Sequence, residues 1–283
     1  MRVDVGNGVR LYFDVDGPGL VPDGATMRQK PTMVLLHGGP GFDHSLFKPW
    51  WSRFNDTHQV VYVDQRGNGR SDQLDDPTHW QLDVWAEDVV RLCDALEIER
   101  PVVVGNSFGG VVAMHYAARF PDHPSKLVLS SCSARFDLEA TVAAFERLGG
   151  ARAGVLARRF WTDEPDEARA DYTRICTPLY TQHSDVAGDS GRALRNPAVT
   201  THWVLGERPG LDLLEELADI RCPTLVLAGE LDPIATVSSQ RAMASRLRPD
   251  LLRLELLADC GHGTYRDQPE RTEEILRDFL AQP

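Results

Sequence analysis

Gly105-Asn106-Ser107-Phe108-Gly109-Gly110 follows the apolar run Val102-Val103-Val104 and precedes a helically spaced face of Val111, Val112, Met114, His115 and Ala118. A serine between glycines at a strand-to-helix turn has the form of an exposed nucleophile. The turn is so tight that its neighbours must lack bulky side chains, and the hydroxyl emerges at a helix N-terminus. A serine hydroxyl is a weak nucleophile and needs a base, which a third group must orient. Two later segments supply them. Ala228-Gly229-Glu230-Leu231-Asp232-Pro233 follows the run Thr224 to Leu227, and Ala258-Asp259-Cys260-Gly261-His262-Gly263 follows the run Leu251 to Leu256. Asp232 and His262 thus fall just past strand C-terminal ends, where α/β sheets open their ligand crevices. Ser107, Asp232 and His262 are the expected catalytic residues. Glu230 is the rival acid, but on extended backbone it points opposite to Asp232. Asp137 is a remoter option.

His37-Gly38-Gly39-Pro40-Gly41 follows another apolar run, Met33-Val34-Leu35-Leu36. Gly-rich backbone there can turn an N–H toward a bound carbonyl. The expected oxyanion donors are therefore the N–H groups of Gly39 and Phe108, with His37 holding the loop. Asp64-Gln65-Arg66-Gly67-Asn68-Gly69-Arg70-Ser71-Asp72 lacks the spacing of a phosphate loop. Asp64 and Arg66 are expected to pin loops at the crevice floor. Asp14-Val15-Asp16-Gly17 hints at a calcium loop, but the remaining ligands are missing, and a plain turn is the better reading. There is no H-E-x-x-H and no close His/Cys cluster, so neither a metal nor a cofactor is required.

The elements that position these residues are short β-branched runs: Met33–Leu36, Val60–Val63, Pro101–Val104, Leu127–Leu129, Thr224–Leu227 and Leu251–Leu256. Helical stretches separate most of them, which predicts a mostly parallel, doubly wound sheet of the α/β class. Val9–Val15 reads as part of an N-terminal hairpin, and Gly17 to Pro31 as loop. Between Ser133 and about Arg221 the alternation breaks into helical segments: Leu138–Leu148, Ala151–Trp161, Asp166–Tyr180 and Val199–Leu205. The expected organisation is a core of residues 1–133 and 221–283, with a helical cap, 134–220, inserted between two strands. Phe136, Phe145, Phe160, Trp161, Tyr172, Tyr180 and Trp203 are candidates to line a pocket over Ser107. The cap acids Glu146, Asp163, Glu164, Asp166, Asp171 and Glu207 look like solvated helix faces.

Composition narrows the partners. Across 283 residues, 30 Lys and Arg stand against 42 Asp and Glu, a formal net charge of −12. Such a surface repels phosphate backbones and anionic lipid, so neither nucleic acid nor membrane is expected as a partner. No apolar run approaches a membrane span, and the N-terminus shows no apolar signal region. Five cysteines are widely spaced and odd in number, which fits reduced thiols and a cytoplasmic protein. A small-molecule or short-peptide substrate remains.

The order of serine turn, acid and histidine resembles the α/β-hydrolase superfamily over nearly the whole chain. His37-Gly38-Gly39-Pro40-Gly41 together with Asp64-Gln65-Arg66-Gly67-Asn68-Gly69-Arg70-Ser71 resembles, more narrowly, the prolyl aminopeptidase (proline iminopeptidase) group. That resemblance implies an α/β-hydrolase fold and a serine hydrolase that cleaves N-terminal proline through an acyl-enzyme, with cap carboxylates holding the free amine. The chain departs from the pattern at Arg195-Asn196-Pro197-Ala198-Val199, which lacks the expected Glu, and at Pro233, where some members carry Glu. The turn around Ser107 also resembles that of hydrolases splitting aromatic ring-cleavage products. A carboxylesterase or lactonase is the alternative activity. A carbon–carbon bond hydrolase and a non-catalytic binding protein on the same fold are further alternatives.

Overall fold

The computed structural model describes residues 1–74, 76–182 and 191–282. Its centre is an eight-stranded sheet. In chain order the strands are β1 (Arg2–Asp4), β2 (Arg10–Asp16), β5 (Thr32–Leu36), β6 (Gln59–Asp64), β7 (Val102–Asn106), β8 (Lys126–Ser130), β9 (Thr224–Gly229) and β10 (Leu252–Leu257). They lie in the order β1-β2-β6-β5-β7-β8-β9-β10. From β6 to β10 every pairing is parallel, while β1 and β2 are antiparallel additions at one edge.

Side chains on a strand alternate between faces, and here both faces are buried. Val34, Leu36, Val61, Val63, Val103 and Leu127 enter one core, with helices α1 (Leu82–Ala95) and α2 (Phe108–Arg119). Met33, Leu35, Val60, Tyr62, Val102 and Val104 enter the other, with Phe47, Trp51, Phe54 and Phe279. Burial on two sides explains why these strands read as unbroken apolar runs.

Between β8 and β9 the chain leaves the sheet for α3 (Leu138–Gly149), α4 (Ala151–Trp161), α5 (Pro165–Ile175) and α6 (Pro197–Leu205). The first three share a small core of their own around Phe145, Leu156, Phe160 and Tyr172. The expected helix Asp166–Tyr180 stops at Ile175 and gives way to a 3-10 turn, Thr177–Tyr180, led by Pro178. Helices α7 (Val237–Ala244), α8 (Thr264–Asp267) and α9 (Pro269–Ala281) complete the chain.

The expected loop Gly17–Pro31 is instead a two-stranded hairpin, β3 (Leu20–Asp23) with β4 (Thr26–Gln29). Seven of its eight strand residues are exposed and Val21 is half-buried, so no apolar alternation marks it. Asp14-Val15-Asp16, expected as a turn, instead ends strand β2, where Asp14 and Asp16 both pair with Lys48. All five cysteines are buried free thiols. Among the described residues, no helix is long and apolar enough to cross a membrane.

Candidate active site

Strand β5 lies between β6 and β7, so the chain crosses β5 to change direction in the sheet. Such a switch point opens a crevice at the strand C-termini. Ser107 follows β7 there with φ 54° and ψ −119°, a strained backbone for a residue with a side chain. Its neighbours show why the turn demands glycine. A Cβ on Gly105 would run into the Gly109 carbonyl, one on Gly109 into the Leu36 carbonyl, and one on Gly110 into Cys132. The strained serine is also the N-cap of α2. The Phe108 N–H, in the first turn, therefore has no intrahelical acceptor.

The three widely separated sequence positions meet. His262 Nε2 is 2.9 Å from Ser107 Oγ, and His262 Nδ1 lies 2.8 Å and 3.0 Å from the two Asp232 oxygens. Asp232 is 1% exposed, and its Oδ1 also accepts the N–H groups of Ile234 and Ala235. These bonds fix the carboxylate's direction. Glu230, the rival acid, is exposed. Asp137 caps α3 by accepting from the Ala140 N–H.

Other contacts seat the surrounding loops. The His262 N–H donates to the Tyr180 carbonyl at 2.5 Å, and the Tyr180 ring stands edge-on to the His262 ring, 5.1 Å between centroids. His37 is fully buried. Its Nε2 accepts the Gln65 N–H, which leaves the Nδ1 proton to donate to the Gly38 carbonyl at 2.8 Å. Burial holds its pKa below the usual value, although Asp64 and Asp43 pull the other way. Asp64 accepts from His44 Nδ1 and from the His44 and Arg70 N–H groups. Burial alone would raise its pKa, but the His44 bond and nearby charge bring it below the ordinary carboxylate value. Arg66 forms a two-pronged ion pair with Asp88 of α1. Asp64 and Arg66 thus pin loops beneath the crevice, as the sequence implies.

The loop 38–41 is clamped from above by α6. Thr200 Oγ1 donates to the Pro40 carbonyl at 2.7 Å, and the Asn196 N–H donates to the Gly41 carbonyl at 2.9 Å. From below, Asn68 Oδ1 accepts the Gly41 N–H. A Cβ on Gly41 would collide with Thr200 and the Asn196 carbonyl, so this close approach requires a glycine.

Two cavities meet at Ser107. The larger, about 190 Å³, is walled by Phe160, Trp161, Tyr172 and Tyr180, the 38–41 loop, His262, and the arginines 169, 195 and 266. The smaller, about 50 Å³, lies between Gly39, Ser107, Phe108, Ser131, Phe136, Trp161, Trp203 and Arg208. Gly39 borders both. Of the expected aromatic lining, Phe145 borders neither; it packs within the inserted segment against Tyr172 and Tyr180. The expectation of an acid beside Ser107 is overturned for the described residues, because no Asp or Glu among them lines either cavity. Asp166 turns to Arg169 and Thr201, and Glu207 accepts the Leu82 N–H instead. Three arginines of the larger wall and Arg208 were not anticipated, since a lone arginine in a polar helix carries no positional signal. Among the described residues no cluster of three or more His, Cys, Asp or Glu side chains is placed to hold a metal ion.

A sequence profile for the alpha/beta hydrolase fold matches residues 31–269. The proline iminopeptidase of Clostridium botulinum is 28% identical over 285 residues, covering 90% of this chain and 91% of that one. The 3-oxoadipate enol-lactonase 1 of Acinetobacter baylyi is 26% identical over 283 residues, covering 96% and 94%. The crystal structure of a proline iminopeptidase from Mycobacterium smegmatis superposes with a TM-score of 0.77 at 23% identity, covering 99% of this chain and 97% of that one.

Proposed function

The chain belongs to the alpha/beta hydrolase fold family and is an enzyme of the hydrolase class, and from that premise we propose a serine hydrolase acting on small esters or lactones through an acyl-enzyme. Ser107 is the nucleophile. As its oxygen attacks the carbonyl carbon, its proton passes to His262 Nε2, 2.9 Å away. The Asp232 carboxylate, on Nδ1, fixes the tautomer and steadies the imidazolium. The N–H groups of Phe108 and Gly39 hold the oxyanion. The imidazolium returns its proton to the departing alkoxide oxygen. His262 then takes a proton from water as the water oxygen attacks the acyl carbonyl, and passes it to Ser107 Oγ as the acyl–oxygen bond breaks and the acid leaves. Residues 134–220 act as a cap that walls the cavity.

One observation ranks ester or lactone above N-terminal proline. An aminopeptidase must hold a protonated amine beside the scissile carbonyl, and a buried ammonium without a counter-charge is costly by several kcal/mol. The described cavity walls beside Ser107 present arginines, not carboxylates. Arg195 stands in the very stretch where the aminopeptidase pattern implies a Glu. The proline iminopeptidase relatives favour the second reading, hydrolysis of proline amides.

A fluorophosphonate probe tests the reaction class: it should label Ser107, and Ser107→Ala should lose both labelling and at least 10³-fold in rate, on the scale of triad removal. Labelling elsewhere, with hydrolysis surviving in Ser107→Ala, would sink it. Turnover of proline arylamides against aryl esters and lactones tests the ranking, and faster arylamide cleavage would reverse it.

A further inference from the structure

The chain carries an excess of twelve negative charges, yet a cation, Arg208, is buried beside Ser107 with no acid paired to it among the described residues. Arg208 follows α6 at the start of a short 3-10 turn, Arg208–Gly210. It is 5% exposed. Its guanidinium carbon sits 3.0 Å from the Phe136 ring centre and 3.6 Å from that of Trp161. No Asp or Glu pairs with it among the described residues, and the groups that favour its charge are the Tyr172 and Tyr180 hydroxyls. The acids next to it in sequence are engaged elsewhere: Glu207 with the Leu82 N–H and Asp212 with Arg135. Burial therefore penalises the Arg208 cation with no described carboxylate to offset it.

Ser131, itself fully buried, borders the same small cavity. Ser131 follows β8 with φ 49°, and its buried hydroxyl has no hydrogen-bond partner. Both residues line the 50 Å³ space that opens on Ser107 and Gly39. A water needs roughly 10–15 Å³ on this measure, so the space takes a group of only a few heavy atoms. Apart from Ser107 and Ser133, the other side chains described around it are apolar or aromatic, including Phe108, Val111, Trp203 and Leu211. A planar guanidinium matches a carboxylate in a two-pronged geometry, and a hydroxyl can donate a third bond.

We propose that the small cavity is a carboxylate subsite built by Arg208 and Ser131, and that the substrate is an ester or lactone whose short acyl chain ends in a carboxylate. This rests on the serine-hydrolase reading of Ser107. The bulkier leaving portion occupies the larger cavity, and the acid group of the acyl chain neutralises Arg208 while the carbonyl lies at Ser107. The enzyme then discriminates by a charge that a neutral acyl chain cannot offer, because such a chain leaves the guanidinium buried and unpaired.

The test compares 4-nitrophenyl hydrogen succinate and 4-nitrophenyl hydrogen glutarate with the neutral 4-nitrophenyl butyrate and pentanoate, each corrected for spontaneous hydrolysis. For the wild-type enzyme, kcat/KM for the better acid ester should exceed that of its neutral counterpart at least tenfold. In Arg208→Gln that ratio should fall at least tenfold. In Arg208→Lys, which keeps the charge but loses the fork, it should be intermediate. Ratios at or below one in the wild type, or an unchanged ratio in Arg208→Gln, would overturn the subsite. Labelling of Ser107 by a neutral fluorophosphonate is followed in parallel. Labelling with a flat ratio overturns the subsite alone, whereas failure to label overturns the serine-hydrolase reading and the subsite with it.

Discussion

Arg66 and Arg208 are almost equally hidden, 2% and 5% exposed, but only Arg208 borders the small cavity at Ser107. Arg66 lies in the loop after β6, under the crevice. Arg208 lies in the inserted segment, above it. Arg66 meets Asp88 through two hydrogen bonds of 2.7 Å and 2.5 Å, so its counter-charge is part of the fold. Arg208 meets two aromatic rings, those of Phe136 and Trp161, and no described acid. Cation–π contact offsets only part of the desolvation of a guanidinium, about 2 kcal/mol when the pair is dry. The first arginine is complete without a ligand and holds loops in place. The second meets no described acid and borders the cavity that opens on Ser107. Burial alone therefore does not separate a structural cation from a recognising one; the identity of the neighbours does.

The largest effect should come from breaking the completed pair. Asp88→Asn leaves Arg66 buried without its counter-charge, which costs about 3–5 kcal/mol. Urea unfolding should show that loss with an unchanged m-value. A loss under about 1 kcal/mol would mean that the pair does not anchor the floor, and the contrast with Arg208 would fail.

The same logic gives Arg208→Met the opposite expectation. It removes an uncompensated charge at similar volume, so unfolding should show stability at or above that of the wild type. Glutarate should distinguish the two proteins further. At one hundred times its Kd a ligand of the folded state adds about 2.7 kcal/mol, so glutarate should raise the wild-type Tm and leave that of Arg208→Met unmoved. Equal shifts in both proteins would place the dianion elsewhere.

What the sequence disclosed follows from what each feature depends on. The strands of the parallel sheet are legible because two-sided burial makes each one apolar throughout. Ser107, Asp232 and His262 are legible as candidates because each sits just beyond a strand, in chain order, with glycines where the turn is tight. The β3–β4 hairpin is not legible, since its exposed strands have no apolar face to alternate. Arg208 is not legible for a different reason. Arg208-Pro209-Gly210 reads as an ordinary turn, and its significance lies in which carboxylates fail to reach it. That is a property of the packed chain, set by Glu207 turning to α1 and Asp212 turning to Arg135. The carboxylate expected near Ser107 failed on the same point: the acids were visible, their directions were not.

A third buried cation-former, His37, sharpens the comparison by staying neutral. Both ring nitrogens are used, Nδ1 donating to the Gly38 carbonyl and Nε2 accepting from the Gln65 N–H. Protonation at Nε2 would set a donor against a donor, and burial already holds the pKa below its usual value. The unfolded chain binds a proton near pH 6.5, and the folded chain does so only at lower pH. The unfolded state therefore binds more protons between those two values, and stability must fall as the pH drops through that window. His37 contributes in full above about pH 6.5, and between pH 7.5 and 5.5 it can lose at most about 1.4 kcal/mol. His58 and His123 are also pushed down by burial and act with the same sign, so the wild-type slope alone does not isolate His37. Asp64 is held low, and its contribution is lost only below the ordinary carboxylate range, outside this window. The informative quantity is the difference between the wild type and His37→Asn. Asn keeps a donor for the Gly38 carbonyl but cannot protonate, so its unfolding free energy should decline less from pH 7.5 to 5.5. Identical slopes would show that His37 protonates as readily in the folded chain as in the unfolded one, and that the loop after β5 tolerates a charge that its hydrogen bonds argue against.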